Sequence, residues 1–360
     1  MSITSIILLI AYSLLIVFFI KGWDRIAYFT KNEKSPSTPV SIITACKNEI
    51  QHLPLLFQAL NEQAYQNFEF ILVDDGSTDG SFEYAQQASS NFNNLNLLKN
   101  QGKGKKYAIK TGVCRAKNEL IISLDADSIP DTEWLETIVS FYEENPADMI
   151  ICPVKTGSNG SFFQEMQQFE FASLVGSGAG AVGAGVPLLC NGANLAFTKS
   201  AWLASEQELH FDEPSGDDIF LLQSIKRKKG QIRFLKSSKA MTTTQSSPTL
   251  KSFLNQRIRW AGKRVAYKDF MLAFTGFTVF ASSFVILANL ILAVFNQKYL
   301  ELFLFVFTLK WFVDFIFLKR IKELFALKSV FKNSLLLSLI YPFYIVFTAS
   351  KALFGKKTVW

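Results

Sequence analysis

The sequence predicts an α/β fold built on a mostly parallel sheet flanked by helices, with transmembrane helices at both ends of the chain. Three observations carry this expectation. Short apolar runs ending in acidic turns alternate with helix-period segments between Pro39 and Ser128, an uncharged run from Ile3 to Ile20 opens the chain, and apolar stretches dominate it after Phe270. A hydrophobic content of 49% and a mean hydropathy of +0.20 fit a chain of which part lies in lipid.

Residues 1–22 read as an uncleaved N-terminal anchor. The opening run has about the 20 residues that cross a hydrocarbon layer, and no basic residue precedes it, which disfavours a signal peptide. Lys21, Arg25, Lys31 and Lys34 follow it, so the positive-inside rule places the N-terminus outside and the chemistry in the cytoplasm. The expected location is a multi-pass protein of the bacterial inner membrane.

Residues 38–248 read as the cytosolic domain. Val40–Ala45, the apolar half of FEFILVDDGSTDG, NLNLLKN and ELIISL are strand-like, while 53–64, 81–90 and KKYAIKTGVCRA are helix-like. Such repeated units imply a parallel sheet that binds ligands beyond the carboxyl ends of its strands. Phe171–Cys190 is uncharged but rich in Gly and Ala and broken by Pro187, so a close-packed loop and helix beneath the site is expected rather than a span. Residues 249–268 read as an interfacial helix, because Phe253, Leu254 and Trp260 lie among its cations. In 270–350 a hairpin of two spans breaks at Asn296–Tyr299, a basic amphipathic segment occupies 319–333, and Ser334–Ser350 forms a third span or a further interfacial helix. Lys310 and Asp314 stand at i, i+4 spacing and can neutralise each other.

Charge excludes other classes. Residues 271–360 hold 10 basic and 3 acidic side chains against 27 of each before them, so the formal +7 belongs to the membrane region and a nucleic-acid binder is ruled out. Cys46, Cys114, Cys152 and Cys190 contain no CxxC pair, and with only His52 and His210 no zinc cluster assembles. Neither histidine falls in a motif, and both read as surface or packing residues.

Two acidic turns stand at strand ends. The turn Asp74-Asp75-Gly76-Ser77-Thr78-Asp79-Gly80 is by itself ordinary turn chemistry. It half matches a calcium loop, but Gln86 occupies the position of the bidentate glutamate, and calcium is rejected. Asp125 and Asp127 follow the buried run Leu120–Leu124 and offer hard oxygen ligands to Mg²⁺ or Mn²⁺, with a diphosphate completing the shell.

VSIITACKNE, VDDGSTD, Gly104-Lys105, SLDAD, NGANLAF, GDDIFL and QRIRW occur here in the order found in inverting family-2 glycosyltransferases of GT-A fold, and the chain resembles a membrane-anchored member over about residues 38–265. The resemblance implies a hexosyltransferase-like enzyme. Asp74 and Asp75 would contact the uracil and ribose of a UDP-sugar, Lys105 its phosphates, Asp125 the donor and the metal, and Asp127 the metal. Asp218 matches the catalytic base; Asp217 stands where glutamate is usual, so the two carboxylates share that candidacy. Gln256, Arg259 and Trp260 match QxxRW, which holds the diphosphate and lines the acceptor site. Gly192 and Gly216 are assigned no chemistry.

From Lys21 to Ile225 there are 14 basic and 26 acidic residues, whereas 226–268 hold 13 basic and none acidic. Such a basic, aromatic segment suits anionic membrane lipid and a lipid-linked or amphiphilic acceptor. The competing functions are a processive polysaccharide synthase, which normally has more spans; a sugar nucleotidyltransferase, which requires neither Asp218 nor QRIRW; and a silent membrane scaffold. No protein partner is assigned.

Overall fold

A computed structural model describes residues 2–90, 92, 94–211, 213, 216–262 and 269–354. The elements run in the order α1 (Ser2–Arg25), β1 (Val40–Cys46), α2 (Leu53–Asn61), β2 (Phe68–Asp74), α3 (Ser81–Ala88), β3 (Leu95–Lys99), α4 (Lys105–Arg115), β4 (Leu120–Leu124), β5 (Ile129–Pro130), α5 (Trp134–Glu144), β6 (Met149–Ile151) and β7 (Val154–Thr156). They continue with α6 (Phe162–Gly183), β8 (Asn194–Thr198), α7 (Lys199–Ser205), α8 (Asp217–Arg227), β9 (Ile232–Phe234), β10 (Thr242–Thr244), α9 (Leu250–Gly262), α10 (Phe270–Leu292), α11 (Gln297–Phe325) and α12 (Val330–Phe354). The chain divides into two compact units: residues 26–157 with 185–245, and residues 1–25 with 158–184 and 246–360.

The first unit is the α/β domain. Its seven-stranded sheet has the order β3-β2-β1-β4-β8-β6-β9, and a small sheet has the order β5-β10-β7. β1, β2 and β4 are mostly apolar and buried almost throughout because both faces are covered. On one face Ile42, Phe70, Leu72 and Ile122 pack with Leu56, Leu60 and Ile138 of α2 and α5. On the other, α4 lies so close that a Cβ at Gly112 would stand 2.5 Å from Ile43 Cγ2. The expected parallel sheet has one exception, since β8 runs antiparallel to both β4 and β6. That reversal puts the start of β8 beside the end of β4, with Asn194 opposite Leu124.

The second unit is helical. Three of its helices are long and apolar enough to cross a membrane: Ile3–Arg25, Phe270–Leu292 and Val330–Leu353. α11 is longer but more charged, and its Lys310 and Asp314 pair as anticipated, 2.6 Å apart, with the Tyr12 hydroxyl donating to Asp314 at 2.6 Å. α10 ends at Leu292, and Asn296 caps the next helix, accepting from Lys298 N. The segment 319–333 does not form a helix of its own. Its charged half extends α11 to Phe325, the chain turns through Ala326 and Ser329 at positive φ, and α12 begins at Val330. Residues 263–268 of the expected interfacial helix, and Lys356 and Lys357, lie outside the described residues.

The Gly-Ala stretch finds its reason in this unit. Phe171–Gly183 is the second half of α6, which packs on α1 with backbone almost touching backbone. A Cβ at Gly22 would lie 1.8 Å from the Gly180 carbonyl oxygen, and one at Gly180 would lie 2.3 Å from that of Phe19. Only glycine permits that approach. Gly22→Val or Gly180→Val should therefore force the helices apart and cost at least the ~1–3 kcal/mol of an overpacked core. Gly157→Ala, whose Cβ would meet nothing nearer than 3.6 Å, should leave the unfolding midpoint in detergent unchanged; equal midpoints for all three variants would contradict this packing.

Candidate active site

The site is built at the carboxyl ends of β2 and β4. Asp74, the last residue of β2, is buried and accepts the backbone N–H groups of Gly76 at 3.1 Å and Ser77 at 3.2 Å. It therefore closes the turn. Asp75 reaches the other way, accepting from Gly104 N at 2.9 Å and Asn100 Nδ2 at 2.6 Å, with Lys47 Nζ at 3.5 Å. Gly104 is the N-cap of α4 at φ 91°, a conformation that favours glycine. Asp75 thus fixes the loop that delivers Lys105.

Lys105, the first residue of α4, forms an ion pair with Asp125. Burial works against its charge, yet Asp125, Asp217 and Asp218 together hold its ammonium group well above the ordinary lysine range. These four side chains therefore belong to one electrostatic cluster. Asp217 and Asp218 enter from the first turn of α8, where the helix dipole favours carboxylates. Gly192, in the loop before β8, borders both of them. Its N–H donates to Asp218 Oδ2 at 3.2 Å, and Ile219 N donates to Asp218 Oδ1 at 2.8 Å. A Cβ at Gly192 would stand 3.7 Å from Asp217 Oδ2. Gly216, at φ 92°, is the left-handed N-cap that starts α8. Both glycines have conformational or contact roles that the sequence alone does not disclose.

Asp127 is held by the Thr244 hydroxyl, which donates to it at 2.7 Å from β10. Burial and then the neighbouring Asp125 push the Asp127 carboxyl upward, against Thr244, Lys105 and His52. Glu49 and His52 stand at the same end of the sheet. Glu49 Oε2 lies 2.5 Å from His52 Nδ1, and its carboxyl is raised by burial and, among other causes, by Asp127 and Asp125, with His52 acting against them. His52 thus pairs with Glu49, whereas His210 packs on Phe220 with ring centroids 4.8 Å apart. Sequence reasoning missed Glu49, His52 and Thr244. Glu49 closes the VSIITACKNE motif and carried the available signal; Thr244 gave none.

Gln256, Arg259 and Trp260 lie on α9 of the helical unit, each partly buried. The Trp260 ring is 6.1 Å from that of Phe171 on α6.

Among the described residues no group of three His, Cys, Asp or Glu side chains is arranged to hold a metal. Asp125 and Asp127 nevertheless fit a hard dication, because Mg²⁺ commonly takes one or two protein carboxylates and completes its shell with phosphate and water. A dication would offset both the burial and the repulsion from Asp125 that raise Asp127.

Residues 41–200 match the family Glycosyl transferase family 2. The chain carries a family 2 glycosyltransferase domain. The match covers Asp74, Asp75, Lys105, Asp125 and Asp127 but stops short of Asp217, Asp218 and the α9 motif. Over 266 residues the chain is 25% identical to the poly-β-1,6-N-acetyl-D-glucosamine synthase of Staphylococcus epidermidis, covering 70% of this chain and 62% of that one. Over 110 residues it is 37% identical to the undecaprenyl-phosphate 4-deoxy-4-formamido-L-arabinose transferase of Photorhabdus laumondii subsp. laumondii, covering 29% and 34%. The chain spans less than two thirds of the length of either relative. Among solved structures, mannosyltransferase PcManGT from Pyrobaculum calidifontis, in complex with GDP-Man and Mn²⁺, has a TM-score of 0.58 at 16% identity over 99% of both chains. The shared fold is the anticipated GT-A type.

The raised Asp127 carboxyl has a consequence for stability without metal. A carboxyl whose folded pKa lies above its unfolded value contributes stability below the unfolded pKa of about 3.9 and loses it as pH rises through the folded value. In EDTA, Asp127→Asn should therefore be more stable than the wild type near neutral pH, with the gap closing as pH falls toward about 4. Thermal midpoints across that range test this, and a gap independent of pH contradicts a raised Asp127 carboxyl.

Proposed function

We propose that this protein is a membrane-bound inverting glycosyltransferase that moves a sugar from a nucleotide-sugar, a UDP-sugar, to a hydroxyl of a lipid-linked or glycolipid acceptor at the cytoplasmic face. The observation that carries it is the convergence of Asp125, Asp217 and Asp218 on Lys105 at the carboxyl ends of the strands. A donor that leaves as a diphosphate needs cations where charge develops, and the acceptor hydroxyl needs a base.

Asp74 and Asp75 shape the pocket for base and ribose, and Lys105 contributes positive charge at the diphosphate. Mg²⁺ or Mn²⁺ on Asp125 and Asp127 would stabilise the charge on the leaving group. Asp218, aimed by the N–H groups of Gly192 and Ile219, takes the proton of the attacking hydroxyl, and one displacement inverts the anomeric centre. Asp217, one residue before it, is the alternative base. Gln256, Arg259 and Trp260 take the acceptor role that their motif implies. The three candidate spans and the basic 226–268 segment support a multi-pass protein that draws its acceptor from anionic lipid, with the inner membrane of a bacterium as its setting.

Similarity to the poly-β-1,6-N-acetyl-D-glucosamine synthase over most of this chain favours a second reading, a processive polysaccharide synthase. Incubation of the purified protein with a panel of nucleotide sugars and membrane lipid extract separates the two: a glycolipid bearing one added sugar supports single transfer, and a polymer supports the synthase. Excess EDTA should abolish transfer and Mn²⁺ or Mg²⁺ restore it. Asp218→Asn should lower transfer by roughly 10²-fold or more with donor affinity unchanged. If Asp217→Asn abolishes transfer while Asp218→Asn spares it, the base is Asp217; if both lose donor binding, these carboxylates serve the donor instead.

A further inference from the structure

Resting on the glycosyltransferase reading above, we infer that Glu170, Arg257 and Tyr344 form a positioning clamp that sets the rotation of α9 and thereby presents Gln256 and Trp260 of the motif. Phe253, Gln256, Arg257 and Trp260 share one face of α9 by their i, i+3, i+4, i+7 spacing. On that face Arg257 is only 7% exposed and meets Glu170 of α6, itself 6% exposed, in a two-pronged ion pair: Nε donates to Oε1 at 3.0 Å and Nη2 donates to Oε2. From α12, the Tyr344 hydroxyl donates to Glu170 Oε1 at 3.0 Å.

The remaining bonds of Arg257 go to its own helix face. Nη1 donates to Gln256 Oε1, and the guanidinium lies 4.3 Å from the centre of the Trp260 ring and 4.5 Å from that of Phe253. Arg259, two residues on, projects about 200° away round the helix at 3.6 residues per turn. The two arginines of QRIRW therefore act on different sides: Arg257 locks, and Arg259 faces elsewhere. A buried ion pair is a poor source of stability compared with apolar packing of the same volume. What it adds is directionality, because the planar fork accepts one orientation of α9.

The test exploits that difference in the full-length protein in lipid nanodiscs. The double variant Glu170→Leu with Arg257→Met replaces the pair by apolar side chains and should unfold at or above the wild-type temperature. It should bind UDP within about twofold of wild type, yet transfer sugar to membrane lipid extract at least about tenfold more slowly, the loss lying in kcat and not in the KM for the donor. A folded double variant that transfers within about twofold of wild type overturns the clamp. Should it not fold, Arg257→Lys decides: it keeps the charge and loses the fork, and transfer should again fall about tenfold or more, while near-normal transfer overturns the proposal. A wild type that transfers from no nucleotide sugar contradicts the glycosyltransferase reading. The clamp is then read from amide hydrogen exchange over 250–262, which should be about tenfold faster in Arg257→Lys and would be unchanged if no clamp existed.

Discussion

The α/β domain is organised around a charge imbalance. Asp125, Asp217 and Asp218 crowd one lysine, Lys105, and Asp127 stands beside Asp125. In a low-dielectric cleft such crowding is unfavourable, and no folding advantage follows from it. Its cost is offset by the backbone: Gly192 and Ile219 donate to Asp218, Thr244 donates to Asp127, and a helix N-terminus receives Asp217 and Asp218. Carboxylates held so near one another, with fewer cations than anions around them, suit a ligand that arrives with positive charge and a substrate proton that must be removed. Perturbed groups of this kind cluster where chemistry is done.

Strand direction decides which loops share that cleft. Parallel β1, β2 and β4 send their carboxyl ends one way, which brings the turns at Asp74–Asp75 and Asp125–Asp127 together. An all-parallel sheet would have put the segment before β8 at the far edge. Because β8 is reversed, its leading loop stands next to Asp125, where Ser123 Oγ donates to the Gly192 carbonyl at 3.0 Å. The same loop then reaches Asp218 on α8. One reversed strand thus joins the strand-end turn of β4 to the helix start that carries the proposed base.

How far this was legible follows from the range of each interaction. Apolar runs covered on both faces show β1, β2 and β4 directly, and the turns after β2 and β4 announce themselves by composition. The alternation of strand and helix shows that a parallel sheet exists. It does not show the direction of β8, which rests on pairing between residues some 70 positions apart in sequence. Thr244 was invisible for the same reason, since its role arises only when β10 pairs with β5 and returns to Asp127. The pairing of His52 with Glu49, three residues before it, could not be read from the sequence, because either side chain could equally have faced solvent. The Gly-Ala stretch was read as close-packed from its small residues, yet composition could not name α1 as the surface it packs on. At 319–333 the amphipathic pattern was real, but a charged end that prolongs α11 produces the same pattern as a separate interfacial helix.

In the proposed membrane setting the helical unit poses the opposite problem from the sheet domain, because lipid rewards apolar side chains and polar ones need partners inside the protein. Several of the buried polar groups there join two elements. Asn289 of α10 donates to Ser5 Oγ of α1 at 3.2 Å, Trp311 of α11 donates to Ser334 Oγ of α12 at 3.2 Å, and Tyr12 of α1 donates to Asp314 of α11. Lys310 completes the last of these, 4.6 Å from the Tyr12 ring centre and 5.0 Å from that of Tyr341. Lipid tails offer helices no hydrophobic reason to choose one neighbour over another, so direction must come from close glycine contacts and from such bonds. Gly22 and Gly180 set the distance between α1 and α6, while the polar pairs set which helices meet and at what rotation. The Glu170–Arg257 pair is a buried ion pair among these links. It also ties α9 to α6 and, through the Tyr344 hydroxyl on Glu170, to α12.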